Sequence, residues 1–259
     1  QKPRENAFSR GFASLASTKM TWPAGPDEKV SSKRHALIMD TLQDKTFFCS
    51  WSGGKDACLA LYRSLKNGGR AEALLTMMVE DGERSRSHGL SRTVINAQSA
   101  ALRIPSIVRC TSWDNYEQIF LSTLKDLKAK NFEYGVFGDI DLEDHLKWVE
   151  NICASAGLQA YEPLWQTPRR ALLDEFLGLG FTATIIAVKQ DLLSQDFLGR
   201  TLDREVIAEL ENAGVDASGE EGEYHTVVTD GPIFSKSVTI AEKGIVSRNG
   251  YCFLDVAVS

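Results

Sequence analysis

The segment Ser52-Gly53-Gly54-Lys55-Asp56 contains the first group of residues suited to chemistry. Two adjacent glycines let the main chain approach an anion closely, because neither has a side chain to hold the anion away. Lys55 adds a movable positive charge, and Ser52 adds a hydroxyl group. This combination predicts a loop that binds phosphate.

The flanking sequence places this loop between a strand and a helix. An apolar run from Phe47 to Trp51 precedes it, and a helical pattern begins immediately after it. Open α/β sheets bind ligands at the carboxyl ends of their strands, where the next helix offers free N–H groups and the positive end of its dipole. The spacing of the loop differs from that of a Walker A motif and from that of a G-x-G-x-x-G dinucleotide turn. It therefore predicts a more compact phosphate site, which includes Ser50 at the end of the strand.

A second group of residues suited to chemistry lies between Gly219 and Thr226, where the chain reads Gly-Glu-Glu-Gly-Glu-Tyr-His-Thr. One interpretation is a solvated acidic hairpin, because charged loops are commonly only surface. The other is a site that binds a cationic or amine-bearing group, or orders magnesium. In that case Glu220 or Glu223, together with His225, would carry protons.

The elements that must position these groups follow a regular pattern. From Thr46 onward, short apolar runs alternate with longer helical patterns, which predicts an α/β fold with a doubly wound parallel sheet. The runs at 161–165 and 237–240 are both predicted as strands. Beyond Gln190 the chain has one helix and strands separated by Gly and Asn, which indicates a smaller C-terminal α+β domain.

The pattern also predicts three regions. Residues 1–44 are expected to be a tag, a linker or a poorly ordered extension, and residues 45–165 a nucleotide-binding domain. Residues 166–259 are expected to form the smaller domain.

Four motifs, in this order, resemble the diphthine-ammonia ligase family of ATP pyrophosphatases. They are Ser52-Gly-Gly-Lys-Asp56, Gly138-Asp139-Ile140, Glu162-Pro-Leu-Trp165 and Gly219-Glu-Glu-Gly-Glu-Tyr-His-Thr226. The resemblance covers residues 46–235 and implies a Rossmann-like ATP domain followed by a smaller, acceptor-binding domain. It also implies that ATP, with Mg²⁺, adenylylates an acceptor carboxyl that ammonium then amidates, releasing AMP and pyrophosphate.

The same resemblance implies roles for individual residues. Those that would hold the phosphates are Ser52, Gly53, Gly54, Lys55 and Asp56, with Asp56 also contacting the magnesium of Mg-ATP, and Gly138 and Asp139 would line the same cleft. The residues that would face the acceptor are Glu162, Trp165, Glu220, Glu223, Tyr224 and His225. Catalysis would fall to Lys55, Asp56, Glu220, Glu223 and His225.

One position departs from the family pattern. The phosphate motif usually closes with serine, and here that position is Ala57. Loss of one neutral hydrogen bond costs on the order of 1 kcal/mol, so the change would weaken phosphate binding without abolishing it.

The acceptor stays open. In the family it is diphthine on elongation factor 2, but a small carboxylate is equally compatible with the motifs, and a homodimer is a further possible partner. Two other classes of function compete with a ligase. One is a nucleotide-binding sensor, in which Ala57 marks lost chemistry, and the other is RNA modification, which would require strongly salt-dependent RNA binding.

Composition limits these alternatives. The 259 residues are 43% hydrophobic and 25% charged, which is typical of globular proteins. A net charge of −6 disfavours a nucleic-acid partner, and no apolar run reaches the roughly 18 to 20 residues that a membrane-spanning helix needs. The five cysteines are scattered without a C-x-x-C pair, so we expect small buried hydrophobes in a reducing, cytoplasmic compartment.

Several charged residues allow two interpretations. Arg84, Arg86 and His88 follow the second predicted strand, where they could reach a ligand or remain solvated. We expect Asp141 to favour the start of a helix and Arg169 to be a surface charge.

Overall fold

A five-stranded parallel sheet forms the first half of the protein. The structure is a computed structural model, and it describes residues 42–259. The predicted extension at residues 1–44 therefore lies outside the described residues, except for its last three. The strand order is β3-β2-β1-β4-β5. The strands are β1 (Thr46–Ser50), β2 (Arg70–Met78), β3 (Ser106–Cys110), β4 (Tyr134–Val136) and β5 (Gln159–Tyr161).

Helices cover both faces of this sheet. They are α1 (Lys55–Lys66), α2 (Arg92–Leu102), α3 (Tyr116–Ala129) and α4 (Glu143–Ser155). Side chains of a strand alternate between the two faces, so Phe47 and Cys49 join the hydrophobic cluster of α1 and α2, whereas Phe48 joins that of α3 and α4. The predicted doubly wound parallel sheet is confirmed.

The second half of the protein forms a four-stranded antiparallel sheet with the order β7-β6-β9-β8. The elements are α5 (Arg169–Gly178), β6 (Thr182–Lys189), a short 3-10 helix (Gln195–Phe197), α6 (Arg204–Asn212), β7 (Tyr224–Asp230), β8 (Ile240–Arg248) and β9 (Tyr251–Val258). This is the mixed α+β arrangement that the change of pattern after Gln190 predicts.

Two predicted strands were misplaced. The run at 161–165 is largely a turn, in which the Trp165 N–H donates to the Glu162 carbonyl, and β5 ends at its first residue. The run at 237–240 overlaps β8 only at Ile240, where the strand begins. From there β8 extends to Arg248. Most residues of β8 are exposed, so the strand lacks the alternating apolar pattern from which a strand is predicted.

One continuous hydrophobic cluster joins the two halves. It includes Leu59 of α1, Phe176 of α5 and Val227 of β7, so the antiparallel sheet packs on the α1 side of the parallel sheet. Among residues 42–259, none of the helices has the length and apolarity needed to cross a bilayer. Four cysteines are buried as predicted, but Cys110 at the end of β3 is exposed, which corrects that prediction.

Strand order places a ligand crevice beside β1. The chain runs outward from β1 to β2 and β3, then returns to β4 on the other side of β1, and such a reversal opens a crevice at the carboxyl ends of the two central strands. Gly138 follows β4 at this point and lies against the first turn of α1. A Cβ atom at Gly138 would lie 2.9 Å from the carbonyl carbon of Asp56, so only glycine allows this approach.

We predict that Gly138→Ala lowers the free energy of unfolding by about 1–3 kcal/mol, because backbone must shift to relieve the contact. Gly178→Ala is the matched control, since a Cβ atom there would meet nothing within 4 Å. The control should leave stability unchanged or raise it by up to about 1 kcal/mol. Chemical denaturation measures both variants, and equal stabilities would contradict the close approach.

Candidate active site

The predicted phosphate loop forms the turn between β1 and α1. Gly53 has φ of 83°, a conformation that favours glycine, and Gly54 is the N-cap residue of α1. Gly54 has no side chain that could cap this helix, so the N–H groups of its first turn, apart from that of Lys55, which donates to Thr226, remain available to an anion. The Ser52 hydroxyl accepts from the Gly54 N–H at 3.3 Å, while Ser50 lies at the end of β1.

Both glycines of the loop also have close neighbours. A Cβ atom at Gly53 would lie 2.6 Å from Leu90, and one at Gly54 would collide with the ring of His88. His88 therefore packs directly on the phosphate loop. Its two basic neighbours do not reach the loop, because Arg84 pairs with Asp255 of β9 and Arg86 binds Thr111 at the end of β3.

Strand β7 of the antiparallel sheet fastens the loop in place. The Gly53 carbonyl accepts from the Val228 N–H at 2.9 Å, and the Lys55 N–H donates to the Thr226 hydroxyl at 3.1 Å. Gln98 of α2 is fully buried and donates to both the Gly53 and the Val228 carbonyls. Sequence reasoning missed Gln98, although a polar residue on the buried face of a helix is a signal that could have found it.

Lys55 lies buried among acidic groups. Its Nζ atom is 2.8 and 2.6 Å from the two carboxylate oxygens of Asp56 and 3.9 Å from Oε1 of Glu220. Burial lowers the pKa of Lys55, but Asp56, Tyr224 and Glu220 outweigh it and raise that pKa above its ordinary value. The ammonium group therefore stays charged.

Glu220 titrates near neutral pH. Burial, followed by the charge of Asp56, raises the pKa of Glu220 to about 8 although Lys55 opposes the shift. A carboxyl with such a pKa can both accept and return a proton under physiological conditions. Within residues 219–223, the Glu-rich loop that leads into β7, Glu220 is the member that the structure brings to Lys55 and Asp56.

Glu223 and Tyr224 hold the Glu-rich loop in shape. The Glu223 carboxylate accepts from the Glu221 N–H at 3.0 Å, within its own loop. The Tyr224 hydroxyl donates to the Ala217 carbonyl at 2.7 Å, and its ring lies 5.9 Å from the Lys55 Nζ atom. Both side chains thus support the position of Glu220 and Lys55.

His225 belongs to an aromatic stack. Its ring is 4.6 Å from that of His88 and 6.0 Å from that of Tyr251. Burial lowers the pKa of His88 to about 4 and that of His225 well below its ordinary value, so both rings are neutral at pH 7. A ring with so low a pKa is a weaker proton acceptor than Glu220.

Arg169 connects the two loops that border the site. It donates to both oxygens of Asp141 at 2.7 Å and to Asp216 at 2.5 Å, and Asp216 in turn accepts from the Ser218 N–H. Asp141 follows β4, whereas Asp216 precedes the Glu-rich loop. Asp141 lies just before α4, as expected, and also binds Arg169, so Arg169 is not merely the surface charge that the sequence suggested.

The remaining predicted site residues lie in other surroundings, although the charge of Asp139 also raises the pKa of Glu220. Asp139 has an oxygen 3.2 Å from Nδ1 of His145. Glu162 lines a separate cleft beside β5, and Trp165 is buried in the same turn. Among the described residues, no three His, Cys, Asp or Glu side chains form a group able to hold a metal ion by themselves.

Comparison with known proteins agrees with this architecture. Residues 46–160 match the diphthamide synthase N-terminal domain, and residues 168–259 match the diphthamide synthase C-terminal domain. A diphthine–ammonia ligase of Bos taurus is 28% identical over 233 residues, which cover 80% of this chain and 86% of the relative. That of Danio rerio is 29% identical over 230 residues, which cover 79% and 90%. With both domains matched in order along one chain, this protein belongs to the diphthamide synthase family.

Proposed function

We propose that this protein is an ATP-dependent ligase that adenylylates an acceptor carboxyl and amidates it with ammonium, releasing AMP and pyrophosphate. The observation that carries the proposal is the glycine loop at the start of α1, with the buried group of Lys55, Asp56 and Glu220 beside it. The relatives are named for diphthine and ammonia, which supports a carboxyl acceptor and a nitrogen donor of the same kind.

The phosphates of ATP would bind at the glycine loop. N–H groups in the first turn of α1 other than that of Lys55, which donates to Thr226, would donate hydrogen bonds to the anion. The Lys55 ammonium would neutralise charge that develops on the α-phosphate as pyrophosphate leaves. Mg²⁺ commonly binds one or two carboxylates together with substrate phosphates, and Asp56 would supply such a carboxylate.

Glu220 would take the proton that ammonia loses when it attacks the activated carboxyl. Oε1 of Glu220 lies 3.9 Å from Nζ of Lys55, and both side chains are largely shielded from solvent. The same shielding would protect the acyl adenylate from water. Residues 166–259 would form the acceptor-binding domain, with His225 and Trp165 near the acceptor. The acceptor is diphthine on elongation factor 2 or a small carboxylate, and cytoplasmic location and homodimer formation belong to the same proposal.

The products of ATP test this function. Purified protein is incubated with Mg-ATP, ammonium and candidate acceptors, including elongation factor 2 that carries diphthine, and nucleotides are separated by chromatography. We expect AMP and pyrophosphate to form only with an acceptor. ADP and phosphate as the products would contradict the proposal, and tight ATP binding without turnover would favour the nucleotide sensor.

Lys55→Met should lower the rate of AMP formation at least roughly a hundredfold, because it removes the charge expected to face the α-phosphate. Lys45→Met is the control, since Lys45 forms only a half-exposed ion pair with Glu133, and such pairs contribute little. Circular dichroism verifies that both variants fold. Equal rates for the two variants would remove Lys55 from the mechanism.

Ala57→Ser should raise kcat/KM for ATP roughly fivefold, the effect of one additional hydrogen bond of about 1 kcal/mol. Position 57 lies in the first turn of α1, where a hydroxyl can reach a phosphate. Ala129→Ser at the end of α3 is the surface control and should change nothing. An unchanged or reduced kcat/KM in Ala57→Ser would show that the missing serine is not what limits this chain.

The pH dependence of the rate should report the ionisation of Glu220. Its pKa of about 8 leaves the proton-accepting form dominant only above that pH, so kcat should rise as pH increases through 8. Assays are run at a constant concentration of unprotonated ammonia, so that the supply of nucleophile does not produce the same rise. In Glu220→Gln this rise of kcat with pH should disappear. A rise that persists in the variant would show that another group is responsible for it.

A further inference from the structure

A cleft of about 370 Å³ lies beside β5, the edge strand of the parallel sheet. Its walls come from the second half of α1, from α4 and from the turn that follows β5, and it is distinct from the small cavity lined by Lys55 and Asp56. The phosphate loop does not contribute to it. The cleft therefore requires an explanation of its own.

Glu162, in the turn after β5, is an unusual member of this wall. Its side chain is 8% exposed, and within residues 42–259 neither carboxyl oxygen has a hydrogen-bond partner. Burial first, and then the charges of Asp139 and Glu150, raise the pKa of Glu162 to about 9. A buried carboxyl without partners is costly, which indicates that a ligand satisfies it.

The cations near the cleft are already engaged. The Arg63 guanidinium binds the Glu175 carboxylate and donates to the Pro163 carbonyl at 2.7 Å. The Lys66 ammonium lies 5.6 Å from the centre of the Tyr62 ring, on the exposed side of α1. Neither is bonded to Glu162, whose remaining charged neighbours are acidic. This environment suits a small cation that can donate hydrogen bonds to a carboxylate.

The turn that carries Glu162 is hydrogen-bonded to a residue that lines the candidate active site. The Ile140 carbonyl accepts from the Gln166 N–H at 2.7 Å, which fixes the turn that carries Glu162. Ile140 also lines the small cavity beside Lys55 and Asp56. The charge of Asp139 raises the pKa of both Glu162 and Glu220, so the cleft and the site are close enough to be influenced by one carboxylate.

We propose that the cleft beside β5 binds ammonium, with Glu162 as its counterion and proton acceptor, and supplies ammonia to the site around Lys55 and Glu220. This inference rests on the proposed ligase function. On binding, the Glu162 carboxyl releases its proton to water and forms an ion pair with ammonium. Ammonium then transfers one proton to the carboxylate, and the ammonia formed moves to the acyl carbon. The carboxyl is thereby restored, and the net change is one ammonium converted to ammonia and one proton released.

Infrared difference spectroscopy tests the binding step without any turnover. Ammonium chloride added at neutral pH should remove the carbonyl stretch of a protonated carboxyl and produce carboxylate bands, whereas sodium chloride should not. Glu162→Gln, which keeps the size and shape of the side chain, should abolish the signal. Glu143→Gln, an exposed position on α4, should retain it.

Kinetics provide the second measurement. In Glu162→Gln, KM for ammonium should rise at least tenfold while KM for ATP stays within twofold of its original value. No ammonium signal in the wild-type protein, or the same signal in Glu162→Gln, would overturn the site whether or not the protein is a ligase. A signal that depends on Glu162, in a protein that forms no AMP with any acceptor, would support the cleft and contradict the ligase function alone.

Discussion

The carbonyl of Gly53 accepts hydrogen bonds from both halves of the protein, and the geometry of the site depends on this point. Val228 of β7 donates one bond and Gln98 of α2 donates another, each at 2.9 Å. Because β7 is held against the glycine loop, the Glu-rich loop that leads into β7 reaches the start of α1. Together with the bond from the Lys55 N–H to Thr226, this contact brings Lys55 and Glu220 into one site.

The charge of Lys55 is the second constraint. A buried ammonium is stable only when acidic groups surround it, and Asp56 and Glu220 fulfil this requirement. Burial first, and then the nearby charge of Asp56, raise the pKa of Glu220 to about 8 in the same arrangement. The charge that a phosphate needs and the proton acceptor that amidation needs thus arise from one cluster. Arg169 stabilises its borders by joining the loop after β4 to the Glu-rich loop.

Much of this fold could be predicted, because its signals are local. The alternating runs around β1, α1 and β3 follow directly from hydrophobic periodicity, and the glycine pair marks the turn between β1 and α1. Strand β8 was not predicted, since its mostly exposed residues carry no alternating pattern. Sequence could suggest that Glu220 is functional, but not that Glu220 rather than Glu223 approaches Lys55. That choice depends on the path of a loop that Asp216 fixes by binding Arg169 and Ser218, and that Tyr224 fixes by donating to the Ala217 carbonyl.

The most direct test of the central claim follows the oxygen atoms of the acceptor. If the carboxyl is adenylylated, AMP leaves with one oxygen that belonged to the acceptor carboxylate. Elongation factor 2 carrying diphthine, or a small carboxylate that supports turnover, is therefore labelled with heavy oxygen at the carboxyl and incubated with ATP and ammonium. Mass spectrometry should find one labelled oxygen in AMP and one in the amide product. Unlabelled AMP, with the label retained in the acceptor or transferred to inorganic phosphate, would contradict adenylylation at the loop that begins α1.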